Sequence, residues 1–107
     1  MVDLNIGGYP FRCVPLSGAD FYDIAAVYVI ICVNPNSTYN VIDIGQTGQL
    51  GTRIDSHDRQ ECWNNKCPTL NIWVCVYPMP TREFSEKKRT EVEQELRTRF
   101  GPPCGQR

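Results

Sequence analysis

The chain lacks a dominant charge. With 11 Lys and Arg against 12 Asp and Glu its formal charge is −1, so no long-range field draws in a polyanion, which counts against tight nucleic-acid binding by this domain alone. No apolar run approaches the roughly 20 residues of a membrane span, and no membrane association is expected. Residues 1–5 carry neither the basic region nor the apolar core of a secretory signal, which makes a cytoplasmic location the expectation. Internal repeats and low-complexity tracts are missing too, so solenoid and disordered classes are set aside. Histidine is scarce, with His57 alone. His57, Cys62 and Cys67 follow at five-residue intervals, but there is no C-x₂-C pair and the spacing matches no standard structural zinc motif.

A chain of 107 residues, 41% hydrophobic and 21% charged, is the size and composition of one globular domain. Its six cysteines are Cys13, Cys32, Cys62, Cys67, Cys75 and Cys104. An even number admits a disulfide framework. However, Cys32 and Cys75 fall inside apolar strand-like runs, where a buried thiol behaves as a small hydrophobe, and free thiols are the expectation.

Residues 1–16 alternate loosely around Gly7-Gly8-Tyr9-Pro10 and read as an N-terminal hairpin, with 1–23 forming an extension and connector. Residues 24–33 are a nearly continuous β-branched run, the pattern of a strand covered on both faces. Asn34-Pro35-Asn36-Ser37 supplies a turn, and residues 39–44 return as its antiparallel partner in the sheet centre. From Gly48 or Gln49 the spacing becomes helical, with Leu50 and Ile54 on the buried stripe and Arg53 and His57 one turn apart beside it. Residues 58–68 read as irregular or weakly helical, and residues 70–77 as a third strand stopped by Pro78 and Pro80. A last helix begins after Thr81, a candidate cap, and ends at Gly101-Pro102-Pro103. The expected fold is α+β, a small, mainly antiparallel three-stranded sheet covered by helices over 24–107, with the hairpin as an extension.

Ala26-Val27-Tyr28, Asp43-Ile44-Gly45, Arg53, His57 and Glu93 stand in that order. In order and spacing they resemble the GIY-YIG nuclease superfamily. Arg53 follows Gly45 by eight positions and His57 follows Arg53 by four. Glu93-Gln94-Glu95-Leu96 precedes Pro102 at the interval of that family's glutamate motif. The resemblance implies a metal-dependent endonuclease acting on nucleic-acid phosphodiesters, DNA ahead of RNA, directly or through a protein partner. It implies Glu93 as the ligand of Mg²⁺ or Mn²⁺, Arg53 as the grip on the scissile phosphate, and Tyr28 and His57 as groups that orient or relay a proton for the attacking water. Gln46, Lys88 and Arg89 join Arg53 as candidate nucleic-acid contacts, although Lys88 and Arg89 also fit a solvated helix face laced with ion pairs.

Three positions depart from the family's pattern. Asp43 replaces the second-motif tyrosine, Gln46 stands where some members carry lysine, and Gly105 stands where asparagine usually follows the proline. Asp43 has two readings. As a carboxylate beside Glu93 it would serve as general base or second metal ligand, changing the mechanism but preserving hydrolysis; alternatively it marks a non-catalytic relative that binds nucleic acid or a protein partner.

Overall fold

The β-branched run occupies the position its composition calls for, inside a sheet. In the computed structural model, which describes residues 2–105, the elements in order are β1 (Val2–Ile6), β2 (Tyr9–Pro15), β3 (Ala26–Val33), β4 (Tyr39–Thr47), α1 (Leu50–Asp55), α2 (Gln60–Lys66), β5 (Ile72–Pro78) and α3 (Glu86–Phe100). β3 is buried from Ala26 through Cys32 and pairs antiparallel with both β4 and β5. The sheet order is β1-β2-β5-β3-β4. The fold is therefore α+β, as the sequence implies, but the sheet has five strands rather than three. The N-terminal hairpin adds to it because β5 offers a second edge, along which Arg12 to Pro15 pair with Val76 to Trp73. β4 correspondingly lies at an edge and not in the sheet centre.

Two apolar layers cover the sheet. One joins Tyr28, Ile30 and Ile42 to Leu50, Ile54 and Trp63 of α1 and α2. The other joins Val27, Val29, Ile44 and Phe11 to Val92 and Leu96 of α3. The alternation along β3 thus feeds both layers, which is why its sequence shows no polar face. On β4 a bulge interrupts the alternation: Ile30 pairs with Asp43 and Ile31 with Val41, leaving Ile42 as the extra residue. Ile42 and Asp43 then both serve the layer containing Trp63, the re-aiming a bulge provides.

The helices differ in detail from the sequence expectation. α1 stops at Asp55, so His57 lies beyond its end. Asp23, from the preceding connector, satisfies the N-terminal turn by accepting from the Thr52 backbone N–H at 2.7 Å and from its hydroxyl at 2.8 Å. These bonds hold the exposed Asp23 carboxyl below its usual range. Residues 60–66, expected to be irregular or weakly helical, form α2 around the buried Trp63. α3 is capped by Ser85, which accepts from the Lys88 backbone N–H at 3.1 Å, and not by Thr81. Residues 80–84 instead make a turn on the Pro80 carbonyl. Gly101 ends α3 in the left-handed conformation, as the sequence implies.

All six cysteines are paired, as Cys13–Cys75, Cys32–Cys67 and Cys62–Cys104. The expectation of free thiols fails because sheet register, which sequence does not display, sets Cys13 directly opposite Cys75. The zinc arrangement of His57, Cys62 and Cys67 is excluded with it. Cys62–Cys104 ties α2 to the segment after α3 across a sequence separation of 42 residues, for which the chain-entropy argument gives about 4 kcal/mol. A Cys62→Ser/Cys104→Ser variant is therefore expected to lose several kcal/mol of stability in urea unfolding. An unchanged midpoint would remove this bridge from the account.

Candidate functional site

Tyr28 points from β3 toward the α1–α2 layer opposite Gly45, its partner in register. A Cβ at residue 45 would lie 2.3 Å from the Tyr28 ring and hydroxyl, so glycine is required there to leave the ring its space. The Tyr28 hydroxyl meets His57 Nε2 at 2.6 Å, and Arg53 is tied to the same ring through Asp58, whose Oδ1 lies 3.0 Å from Arg53 Nη2 and 3.4 Å from His57 Nδ1. On its other side His57 Nδ1 accepts from the Arg59 backbone N–H at 3.1 Å. A neutral imidazole whose Nδ1 is an acceptor carries its hydrogen on Nε2. His57 therefore donates to Tyr28, and the tyrosine's own hydrogen is left for another acceptor. The His57 ring also packs against Trp63 at 4.5 Å between centroids.

Electrostatics keep this pair neutral. Burial lowers the His57 pKa to about 4, with Arg53 and Arg59 adding to the effect, while Asp43 and Asp58 oppose it. Burial likewise raises the Tyr28 hydroxyl, against the pull of Arg53 and Arg59. Arg53 is additionally held by Asp58 at 3.0 Å. Desolvation pushes against ionisation of Asp58, yet the Arg53 charge together with hydrogen bonds from its own backbone N–H and from Arg53 outweighs it, and the carboxyl sits low.

Asp43 is fully buried, and four donors occupy its carboxylate. Oδ1 accepts from the Ile44 backbone N–H at 2.8 Å and from Arg97 Nη2 at 2.9 Å. Oδ2 accepts from Arg59 Nε and Trp63 Nε1, each at 2.7 Å. That fills the roughly four lone-pair positions of a carboxylate. Arg97 also donates to the Ile44 carbonyl and, at 3.4 Å, to that of Cys104. For Arg59, burial works against the charge, but the Asp43 bond and charge win and its pKa is raised.

Of the residues singled out from sequence, Tyr28, Asp43, Arg53 and His57 are thus joined in one network on the α1–α2 side. Glu93 lies on the buried face of α3 and approaches Arg97 Nε at 3.8 Å, connecting to the others through the Arg97–Asp43 pair around the edge of β4. Gln46 and Arg89 meet each other, Arg89 Nε donating to Gln46 Oε1 at 3.3 Å. Arg89 is 5% exposed rather than on a solvated face, and its Nη1 is the one buried side-chain nitrogen or oxygen among the described residues without a hydrogen-bond partner. Lys88 is exposed and pairs with Glu91 at 3.9 Å.

Sequence reasoning missed Arg59, Trp63 and the role of Arg97. The available signal was the tension of an Asp in an apolar strand, since a buried carboxylate demands donors. Among the described residues no group of three His, Cys, Asp or Glu side chains is placed to hold a metal ion. Comparisons with protein-family models, with curated proteins and with solved structures find no match for the chain.

Two outcomes are expected. The depressed His57 pKa means that the unfolded chain takes up a proton near pH 6.5 while the folded one does not until about pH 4. The His57 contribution to stability should therefore fall as pH drops through that window, by on the order of 3 kcal/mol, and change no further below it. An NMR titration of the ring beside urea unfolding at several pH values checks this; a midpoint near 6.5 would refute it. Asp43→Tyr puts a ring into a filled site and strips two arginines of their anion. We expect a loss of about 3 to 5 kcal/mol in thermal unfolding rather than an improved site.

Proposed function

We propose that this chain is a divergent GIY-YIG-like domain that binds nucleic-acid phosphodiesters and hydrolyses them with a divalent metal. The observation that carries the reading is the gathering of Tyr28, His57 and Arg53, from β3, the loop after α1, and α1: the Tyr28 hydroxyl lies 2.6 Å from His57 Nε2, and Asp58 joins His57 to Arg53. Arg53 grips the phosphate, its pair with the exposed Asp58 being of the kind water weakens. Tyr28, kept protonated by burial and supplied with a hydrogen bond by His57, donates its hydrogen to a phosphate oxygen, where negative charge builds as the phosphorane-like state forms. His57 holds the hydroxyl in that orientation. Asp43, with both oxygens filled, is assigned to positioning rather than to the base or second-ligand role.

The remaining carboxylate is Glu93. Glu93, which approaches Arg97 at 3.8 Å, would be the residue to hold Mg²⁺ or Mn²⁺, a hard cation that needs few protein carboxylates. Bound so, such an ion supplies an activated water and a Lewis acid. Asp43 favours a second reading: with this carboxylate committed to the fold, the domain is a silent module that binds nucleic acid or a protein partner. The three disulfides favour an oxidising compartment over the cytoplasmic expectation.

Cleavage of single-stranded, duplex and branched DNA, and of RNA, with Mg²⁺ or Mn²⁺ tests the proposal. Activity should fall by about 10²-fold or more in Arg53→Ala and in Glu93→Ala, the scale of losing a transition-state contact. No cleavage of any substrate by the wild type would leave the silent-module reading.

A further inference from the structure

Arg59 sits at the start of α2 with its backbone N–H on His57 Nδ1, which puts it beside the ring that orients Tyr28. Its side chain turns to Asp43 and binds Oδ2 through Nε at 2.7 Å, with 26% of the side chain still exposed. That bond takes one of the five N–H donors of the fork and, because a guanidinium is planar, helps fix the direction of the rest. The anchor is stiff, since Trp63, Arg97 and the Ile44 N–H hold the same carboxylate. Space is reserved as well. Gly105 has a positive φ of +76°, and a Cβ there would come 3.0 Å from Arg59 Cζ and Nε and 2.6 Å from Arg97 Nη2. Arg53 stands beside the same ring, since Asp58 Oδ1 lies 3.4 Å from His57 Nδ1 and 3.0 Å from Arg53 Nη2, so Arg53 and Arg59 both flank His57.

We infer that Arg59, aimed by Asp43, is a second phosphate-gripping arginine, so that the site's ligand is a nucleic-acid phosphate bracketed by the two guanidinium groups of Arg53 and Arg59. The inference rests on the reading of Tyr28, His57 and Arg53 as a phosphate site. Two forks supply more donors than one phosphate needs from a single arginine, and they sit on separate elements, α1 and the start of α2. Asp43 and Gly105, two of the three departures from the family's pattern, then belong to one arrangement. The aspartate anchors Arg59, and the glycine leaves room for it.

The test is an NMR titration of the full chain at neutral pH, following the His57 ring and Tyr28 resonances on adding inorganic phosphate or a short single-stranded DNA. In the wild type both ligands should shift these signals. Arg59→Gln should weaken binding roughly tenfold, the value of one charge-assisted contact, and Arg59→Lys should fall between the two. The free-state His57 spectrum should stay close to wild type in both variants, because the backbone N–H on Nδ1 is retained. Unchanged affinity in Arg59→Gln, with binding lost in Arg53→Ala, would overturn the inference and leave the phosphate site standing. No shift in the wild type with either ligand would overturn both. If Arg59→Gln does not fold, Arg59→Lys decides: affinity equal to wild type overturns the role of the fork.

Discussion

The buried carboxylate of Asp43 is the constraint on which the rest of this structure depends. A charge removed from water is costly unless donors surround it, and here they arrive from β4 itself, from the start of α2, from Trp63 within α2 and from Arg97 on α3. Those elements come from both layers and meet over an edge strand. The requirement to satisfy one carboxylate therefore fixes the relation of α2 and α3 to β4 more specifically than apolar contact does, because hydrogen bonds have direction and hydrophobic burial does not.

The same arrangement transmits order to the Tyr28 hydroxyl. Asp43 holds Arg59, the Arg59 N–H sets the tautomer of His57, and His57 orients Tyr28. Each link is a hydrogen bond to a group that is buried or partly so, where competition from water is reduced. Cys62–Cys104 lies across this region, joining the helix that carries Trp63 to the segment that contacts Arg97. A covalent tie at that point restrains the two arginines' supports together.

Much of the fold was legible because it depends on local rules. The β-branched run became β3, Leu50 and Ile54 turned inward, and Gly101 ended α3 in the expected conformation. Spacing alone put Arg53 and His57 one turn apart on a helix, but α1 ends at Asp55, and only the resemblance joined Tyr28 to them. What spacing did not reveal were facts of register and reach. Cys13 and Cys75 are 62 positions apart yet opposite each other in the sheet. Arg97, on the same helix as Lys88 and Arg89, gave no sign in sequence that its length carries it to Asp43. The hairpin looked like an extension because nothing local in residues 9–15 announces β5 as their neighbour. The bulge at Ile42 is the most instructive case. One inserted residue changes which face Asp43 serves, and a count of alternation through residues 39–47 gives no sign of it.

The outer margin of β4 has its own consequence. Ile42 O accepts from the Cys104 backbone N–H at 3.0 Å, and Ile44 O accepts from Arg97, so part of this edge is already spoken for by the chain's own later segment. A sheet margin occupied in this way cannot recruit a foreign strand there, which matters for an edge strand. Loosening Cys104 would then do more than disturb a site. It would unmask a template for self-association, so the price of losing the bridge would be felt first as poor solubility under reducing conditions.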